Sequence, residues 1–268
     1  MIANARMYGV APGAVAAWRT LLEWVVRRAG IDCEVFDFPP PRPLPELWAR
    51  ADLACAFMCG FPLSRAAVPP QVLAAPVPSP ASYGGRPLYW TELVVAADAP
   101  IADAAAMLGR RMAYTTPESQ SGYQAVRRFF APYAARSAAP LFAAMIGPLV
   151  TPRAVVEAVA RGEADVGPVD SYALDLLRRH EPGLVARIRT VAATPPTPIP
   201  PLIASPHMAA EDRVRVVAAL TAVGHAPELD PVRRDLVLLR FEPIDQAAYA
   251  GLAADAAATD RLGYPVLV

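Results

Sequence analysis

The residues best equipped for chemistry lie together in Thr115-Thr116-Pro117-Glu118-Ser119-Gln120-Ser121-Gly122-Tyr123-Gln124, which runs on into Ala125-Val126-Arg127-Arg128-Phe129-Phe130. The stretch reads as a strand end, a hydroxyl-rich loop and the first turn of a helix. Ser119 and Ser121 are residues that cap a helix start, and Gly122 lets the backbone come close to a guest. The apolar positions Val126, Phe129 and Phe130 supply a buried face. A helix start has unpaired N–H groups and a partial positive charge, so this loop suits an anion. The same residues are equally those of an ordinary capped helix that serves only the fold.

Two other groups carry reactive side chains. Cys55-Ala56-Phe57-Met58-Cys59 places two thiols close in sequence, and Cys33 makes the set odd. A zinc site needs more ligands than these, and His180, His207 and His225 are scattered, so buried free thiols are expected and no metal or cofactor. Cys59 beside Gly60 is the one candidate nucleophile, and no histidine stands in a readable Cys–His motif with it.

These residues need a framework, and the hydrophobic pattern supplies one. Residues 5–10 suggest a strand, 15–29 a helix stopped by Gly30, 33–38 a strand, 44–49 a short helix and 52–58 a buried strand. Residues 69–80 are proline-rich and read as a surface link. Residues 88–96 read as one long strand, 101–108 as a helix and 110–115 as a strand. The serine loop and its helix run to about 133, and 145–150 suggests a strand. A helix at 152–161, a strand at 164–169 with the exit Asp170-Ser171-Tyr172, and a helix at 173–179 follow. After a strand at 188–192 and a proline-dense stretch come a strand at 202–204 and a helix at 210–222. The tail, with Phe241, Tyr249 and Tyr264, reads as small helices and loops. Alternating strands and helices predict an α/β fold. An economical arrangement is two α/β lobes joined by a two-strand hinge, with residues 1–92 and 201–268 in lobe 1, residues 93–200 inserted as lobe 2, and a ligand cleft between the lobes.

Composition narrows the function. The chain has 268 residues, 54% of them hydrophobic, so it can bury one large core or two smaller ones. Lys plus Arg equals Asp plus Glu at 25 each, and every basic residue is arginine. That balance provides no field to attract nucleic acid or an anionic membrane. No run reaches the roughly 18 apolar residues of a membrane span, so membrane insertion is not expected. Met1 to Val10 lacks the pattern of a signal peptide, which points to the cytoplasm for the chain as it stands and to the periplasm if a leader has been removed.

The residues Val155-Val156-Glu157-Ala158-Val159-Ala160-Arg161-Gly162-Glu163-Ala164-Asp165-Val166-Gly167-Pro168-Val169-Asp170-Ser171-Tyr172 resemble the helix, Gly-x-Ala-Asp turn, strand and acidic exit of phosphate, phosphite and phosphonate substrate-binding proteins of ABC transporters, in the type 2 periplasmic binding-protein superfamily. Ser119-Gln120-Ser121-Gly122-Tyr123 is similar to that family's serine-rich anion loop. Met7-Tyr8 and Cys59-Gly60-Phe61-Pro62-Leu63 resemble the pattern of a soluble subgroup, and Tyr89 lies where the family often has a hinge aromatic.

The resemblance implies a solute-binding protein that closes on a small anionic or polar ligand, phosphate- or phosphonate-like, with an ABC permease as partner and no catalysis. Ser119, Gln120 and Ser121, with the backbone of Ser121 and Gly122, would hold the anion. Asp170, followed by Ser171, would accept a hydrogen bond from the ligand or cap the next helix. Tyr8, Cys59, Gly60, Phe61 and Tyr89 would line the first lobe's side, although Tyr8 also reads as a surface aromatic and Tyr89 as core. The family's histidine falls at Pro152, which donates nothing, so either Arg153 supplies the contact or the ligand differs. Two other readings use the same fold: a cytoplasmic ligand sensor, and an enzyme acting on a thiamine- or pyrimidine-type precursor.

Overall fold

The computed structural model describes residues 1–137 and 139–268. They form two compact units, one of Met1–Leu88 with Pro198–Tyr249 and one of Tyr89–Thr197 with Ala250–Val268.

The first unit is built on a six-stranded sheet in the order Leu238–Glu242, Gln71–Pro78, Leu202–Ala204, Leu53–Phe57, Ile2–Asn4, Glu34–Val35. Ile2–Asn4 runs parallel to both Glu34–Val35 and Leu53–Phe57, and the remaining neighbours are antiparallel. Parallel neighbours require a crossover, which the helix Pro12–Ala29 provides. Its start has Pro12 at the first helical position, and Gly30 ends it in the left-handed conformation at φ 62°. Between these ends Trp18, Leu21, Leu22 and Val25 are buried. Trp18 packs edge-on against Phe57 with ring centroids 5.0 Å apart.

In the second unit Thr91–Ala96 lies between Ile188–Ala193 and Gly167–Asp170, antiparallel to both. Arg111–Ala113 and Ala144–Ile146 form a parallel pair. A parallel bridge from Met112 to Val166 joins this pair to the three-stranded sheet. Helix Ala125–Ala134 closes one core with Val126 and Phe130, the latter edge-on to Phe142 at 5.1 Å. Helix Pro152–Ala160 buries Val155, Val156 and Val159, as its periodicity predicts.

Several elements differ from expectation, each for a local reason. The proline-rich residues 69–80 contain the strand Gln71–Pro78, inside the sheet rather than linking over its surface. Its pairing with Leu202–Ala204 covers only residues Gln71 to Ala74, so Pro76 and Pro78 lie where the strand has a partner on one side alone. A proline there removes no hydrogen bond that the ladder needs. Residues 101–108 form only a single turn, Ala105–Met107. Asp103 Oδ1 accepts from Ala106 N at 2.9 Å and Gly109 turns the chain at φ 72°, leaving no room for a helix. The strand expected at 145–150 stops at Ile146, before Gly147–Pro148. The strand expected at 5–10 lies earlier, at Ile2–Asn4, and is followed by a turn at Arg6–Tyr8. The tail includes the strand Leu238–Glu242 and the helix Ala250–Arg261.

The tail also divides. Residues 201–268 were expected in lobe 1, but Ala250–Val268 belong to the second unit. Tyr264 and Leu267 complete its apolar core, and the buried Arg127 donates Nε and NH2 to Tyr264 O at 3.2 and 2.8 Å.

Candidate functional site

The second unit gathers most of the predicted residues at one rim of its sheet. Thr91, at the start of the central strand, lies opposite Asp170, the last residue of Gly167–Asp170. On the other side Thr194 N donates to Thr91 O at 3.0 Å, and Thr91 N donates to Thr194 Oγ1 at 3.0 Å. The parallel bridge between Met112 and Val166 brings the exit of Arg111–Ala113, and therefore Thr115, to the same rim. In open α/β sheets it is the carboxyl ends of strands that face ligands.

Three helical segments start from this rim, and a side chain caps each one. Ser119 Oγ accepts from Gly122 N at 2.9 Å at the head of the wide turn Gln120–Gln124, which leads into Ala125–Ala134. Thr151 Oγ1 accepts from Ala154 N at 3.2 Å at the head of Pro152–Ala160. Asp170 Oδ1 accepts from Ala173 N at 2.9 Å at the head of Ser171–His180. Backbone bonds from Leu149 N to Tyr114 O (3.0 Å) and from Val150 N to Thr115 O (3.1 Å) hold the second start beside the Thr115 loop. Thr91 Oγ1 donates to Ser121 O at 2.9 Å and pins the first turn to the strand. The arrangement concentrates helix-start N–H groups, hydroxyls and one carboxylate. Such a set can hold an oxyanion by hydrogen bonds and dipoles without a dedicated cation.

The fit of Gly122 is steric. A Cβ there would stand 2.0 Å from Thr115 Oγ1 and 2.9 Å from Thr115 Cβ, so a side chain cannot be accommodated without displacement. The Thr115 hydroxyl itself is buried without a hydrogen-bond partner among the described residues.

The predicted residues take different parts in this geometry. Gln120 and Ser121 are buried within the turn, and Ser119 acts as its cap. The Gly122 N–H, expected to face an anion, is engaged by Ser119 Oγ. Asp170 is the N-cap that its position allowed, 5% exposed. Ser171 is fully buried and binds the strand next to it: its N–H donates to Trp90 O at 2.9 Å, and its Oγ accepts from Trp90 N at 3.2 Å. Tyr89 is buried at 1% exposure. Burial, with Asp170 and Asp175 adding to it, pushes the Tyr172 phenol well above its ordinary value and keeps it neutral.

Arg153 sits in the first turn of Pro152–Ala160, but its guanidinium is engaged by carboxylates. Nε donates to Glu157 Oε1 at 2.8 Å and NH1 to Glu181 Oε1 at 2.9 Å. The bond to Glu181, joined by that to Glu157, raises its pKa further. Its charge is thus compensated locally.

The remaining predicted residues belong to the first unit. Tyr8, in the turn after Ile2–Asn4, is 1% exposed and edge-on to Phe57 at 4.9 Å, so it is no surface aromatic. Cys59, Gly60 and Phe61 follow Leu53–Phe57 and open the short helix Gly60–Ser64, with Arg65 over the Phe61 ring at 5.3 Å. Both groups leave the carboxyl ends of adjacent parallel strands. Thr91, Thr115 and Thr194 were not singled out as site residues. Thr115 opens the hydroxyl-rich stretch and was legible there, whereas Thr91 and Thr194 lie 103 residues apart and only strand register unites them.

Two α/β units with polar groups at strand ends have the architecture of periplasmic binding proteins, and solved structures agree. A binding-protein component of an ABC phosphonate transporter from Pseudomonas aeruginosa superposes with a TM-score of 0.83 at 17% identity, covering 98% of this chain and 87% of that one. PhnD1 from Prochlorococcus marinus, in complex with methylphosphonate, gives 0.75 at 11% identity, covering 97% and 98%. XAC2383 from Xanthomonas citri, bound to ATP, gives 0.64 at 18% identity, covering 98% of each. At these identities the likeness is one of fold. No curated protein matches the sequence. The sequence model of the ABC transporter phosphonate periplasmic substrate-binding proteins matches residues 13–249, and the chain belongs to that family. Among the described residues no helix is long and apolar enough to cross a membrane.

Proposed function

We propose that this protein is the solute receptor of an ABC uptake system and that it holds a phosphonate- or phosphate-like oxyanion at the rim of its second unit. The observation that carries the reading is the convergence of three capped helix starts with Ser121, Thr115, Asp170 at the carboxyl end of its strand, and Thr91 at the amino end of the antiparallel strand beside it. Family membership supports a binding role, and the methylphosphonate carried by PhnD1 supports the ligand class.

The pattern of charge refines the ligand. Helix starts and hydroxyls donate to ligand oxygens, while a carboxylate at Asp170 favours a ligand that keeps a proton to donate. A monoprotonated phosphonate or phosphate meets both demands, and sulfate at neutral pH has no proton to offer. The reading includes delivery of the ligand, on the outer side of the cytoplasmic membrane, to a permease, and leaves the ligand chemically unchanged.

Calorimetric titration of the protein with methylphosphonate, phosphate and sulfate tests this. Saturable binding of the first two, and much weaker binding of sulfate, is the expected result. No saturable heat with either phosphorus oxyanion at millimolar concentration would remove the reading.

A further inference from the structure

The first unit contains a cavity of about 280 Å³, close to the lower end of ordinary ligand pockets, and none of the residues of the oxyanion rim lines it. It lies beside the edge strand Glu34–Val35, where the chain continues through Phe36 and Phe38. Trp18 and Leu22 of helix Pro12–Ala29 face these aromatic residues across it, so its body is apolar and suited to a flat group.

Its charges are unbalanced. Arg6, Arg19 and Asp37 also line it. Arg19 pairs with Asp37 and donates NH1 to Val35 O at 3.1 Å. The guanidiniums of Arg6 and Arg42 both lie over the Phe38 ring, at 5.6 and 4.0 Å from its centroid, and Arg6 donates to Arg42 O. Among the described residues neither Arg6 nor Arg42 has a carboxylate partner. Burial, and then the neighbouring Arg42, lower the Arg6 pKa. Two like charges on one ring repel each other, and an anion placed between them would relieve that repulsion while accepting their N–H groups.

We infer that this cavity binds a small organic anion with a flat apolar body, for which an aryl carboxylate is the simplest case. The carboxylate meets Arg6 of the lining and Arg42, which stands beside the lining over Phe38, and the ring enters between Trp18 and the Phe36–Phe38 segment. The site lies within the first unit and is independent of the oxyanion rim in the second.

Benzoate is the probe. Titrated into the full chain, it should saturate one site. Arg42→Ala, at an exposed position, should weaken benzoate by about tenfold or more, the scale of a lost charge-assisted hydrogen bond. Arg6→Ala should act in the same direction. Ser121→Ala, in the second unit, should leave benzoate binding unchanged, and benzylamine, which keeps the ring and reverses the charge, should not bind. The inference is overturned by the absence of saturation, by benzylamine binding as well as benzoate, by indifference to Arg42→Ala, or by an equal loss with Ser121→Ala. Methylphosphonate binding, measured on the same samples, separates failure here from failure of the oxyanion reading.

Discussion

The Tyr123 hydroxyl accepts a hydrogen bond from the backbone N–H of Leu267 at 3.0 Å, across 144 residues of sequence. Tyr123 belongs to the turn Gln120–Gln124 at the rim, and its ring stands edge-on to Tyr114 at 5.6 Å. One turn further along, Arg127 is 4% exposed and binds both Tyr264 O and Asp260. Residues 260–267 therefore form a strap over the helix that carries the serine loop.

Tyr123→Phe keeps the ring and removes the acceptor. The buried Leu267 N–H is then unpaired, which costs about 1–3 kcal/mol. Denaturant unfolding should show that loss, and amide exchange should quicken first at 264–268. Unchanged exchange at Leu267 would mean that the strap is held by its apolar contacts alone.

Ser119 and Ser121 are two positions apart and should fail in different ways. Ser119→Ala deletes the cap on Gly122 N and should cost about 1 kcal/mol of stability. Ser121→Ala deletes a hydroxyl that no cap requires, so it should weaken oxyanion binding by about 1–3 kcal/mol while the melting temperature of the unliganded protein stays put. Calorimetry beside thermal melts separates the two. If Ser121→Ala binds phosphonate like the parent, that hydroxyl is no part of the site.

Gly122→Ala should destabilise the second unit by about 1–3 kcal/mol, because its Cβ meets Thr115 Oγ1 at 2.0 Å. Thr115→Ala should restore part of this loss and no more, since the Thr115 Cβ is itself 2.9 Å from the new atom. Unfolding of both single variants and the double variant gives the coupling. Additive effects would show that the clash is relieved elsewhere.

How much of this was legible in the sequence depended on whether a residue's job was local. Gly30 marks the end of one helix by its own backbone preference, and Val155, Val156 and Val159 mark another by period, so that end and the second helix were read nearly to the residue, whereas the first helix starts at Pro12, three residues before the expected 15. Gln71–Pro78 was missed because its prolines argue against a strand until the partner's length is known, and a partner's length is a tertiary fact. The same limit applies to function. Ser119–Gly122 announced itself as a capped turn, and Asp170 as a cap. The engagement of Arg153 by Glu157 and Glu181 was hidden, since Glu181 is 28 residues away. The pairing of Thr91 with Thr194 was hidden likewise by register.

Arg153 is where the sequence and the structure pull apart most. Two carboxylates already hold its guanidinium, at 34% side-chain exposure. Arg153→Ala should therefore change phosphonate affinity by less than about threefold, and exposed pairs of this kind contribute only about 0–1 kcal/mol to stability. A loss of tenfold or more would instead make Arg153 the anion's partner in place of the family histidine.

The acid limit of stability should trace to Asp165. Its carboxylate accepts three hydrogen bonds from Arg111, with Oδ2 accepting from backbone N at 2.8 Å and from Nε at 3.1 Å, and Oδ1 from NH2 at 2.8 Å. The side-chain bond to Arg111 is the largest of the effects that hold its pKa below the ordinary value of 3.8. A carboxylate depressed in the folded state stabilises fully above its unfolded pKa, and the contribution fades as pH falls below that value towards the folded one. Melting temperatures taken from pH 7 down to about 2 should thus drop for the parent below roughly pH 4. Asp165→Asn should start lower at pH 7 and lose less on acidification. Parallel curves for the two proteins would assign the acid sensitivity to other carboxylates and leave the Arg111–Asp165 pair without a measurable share.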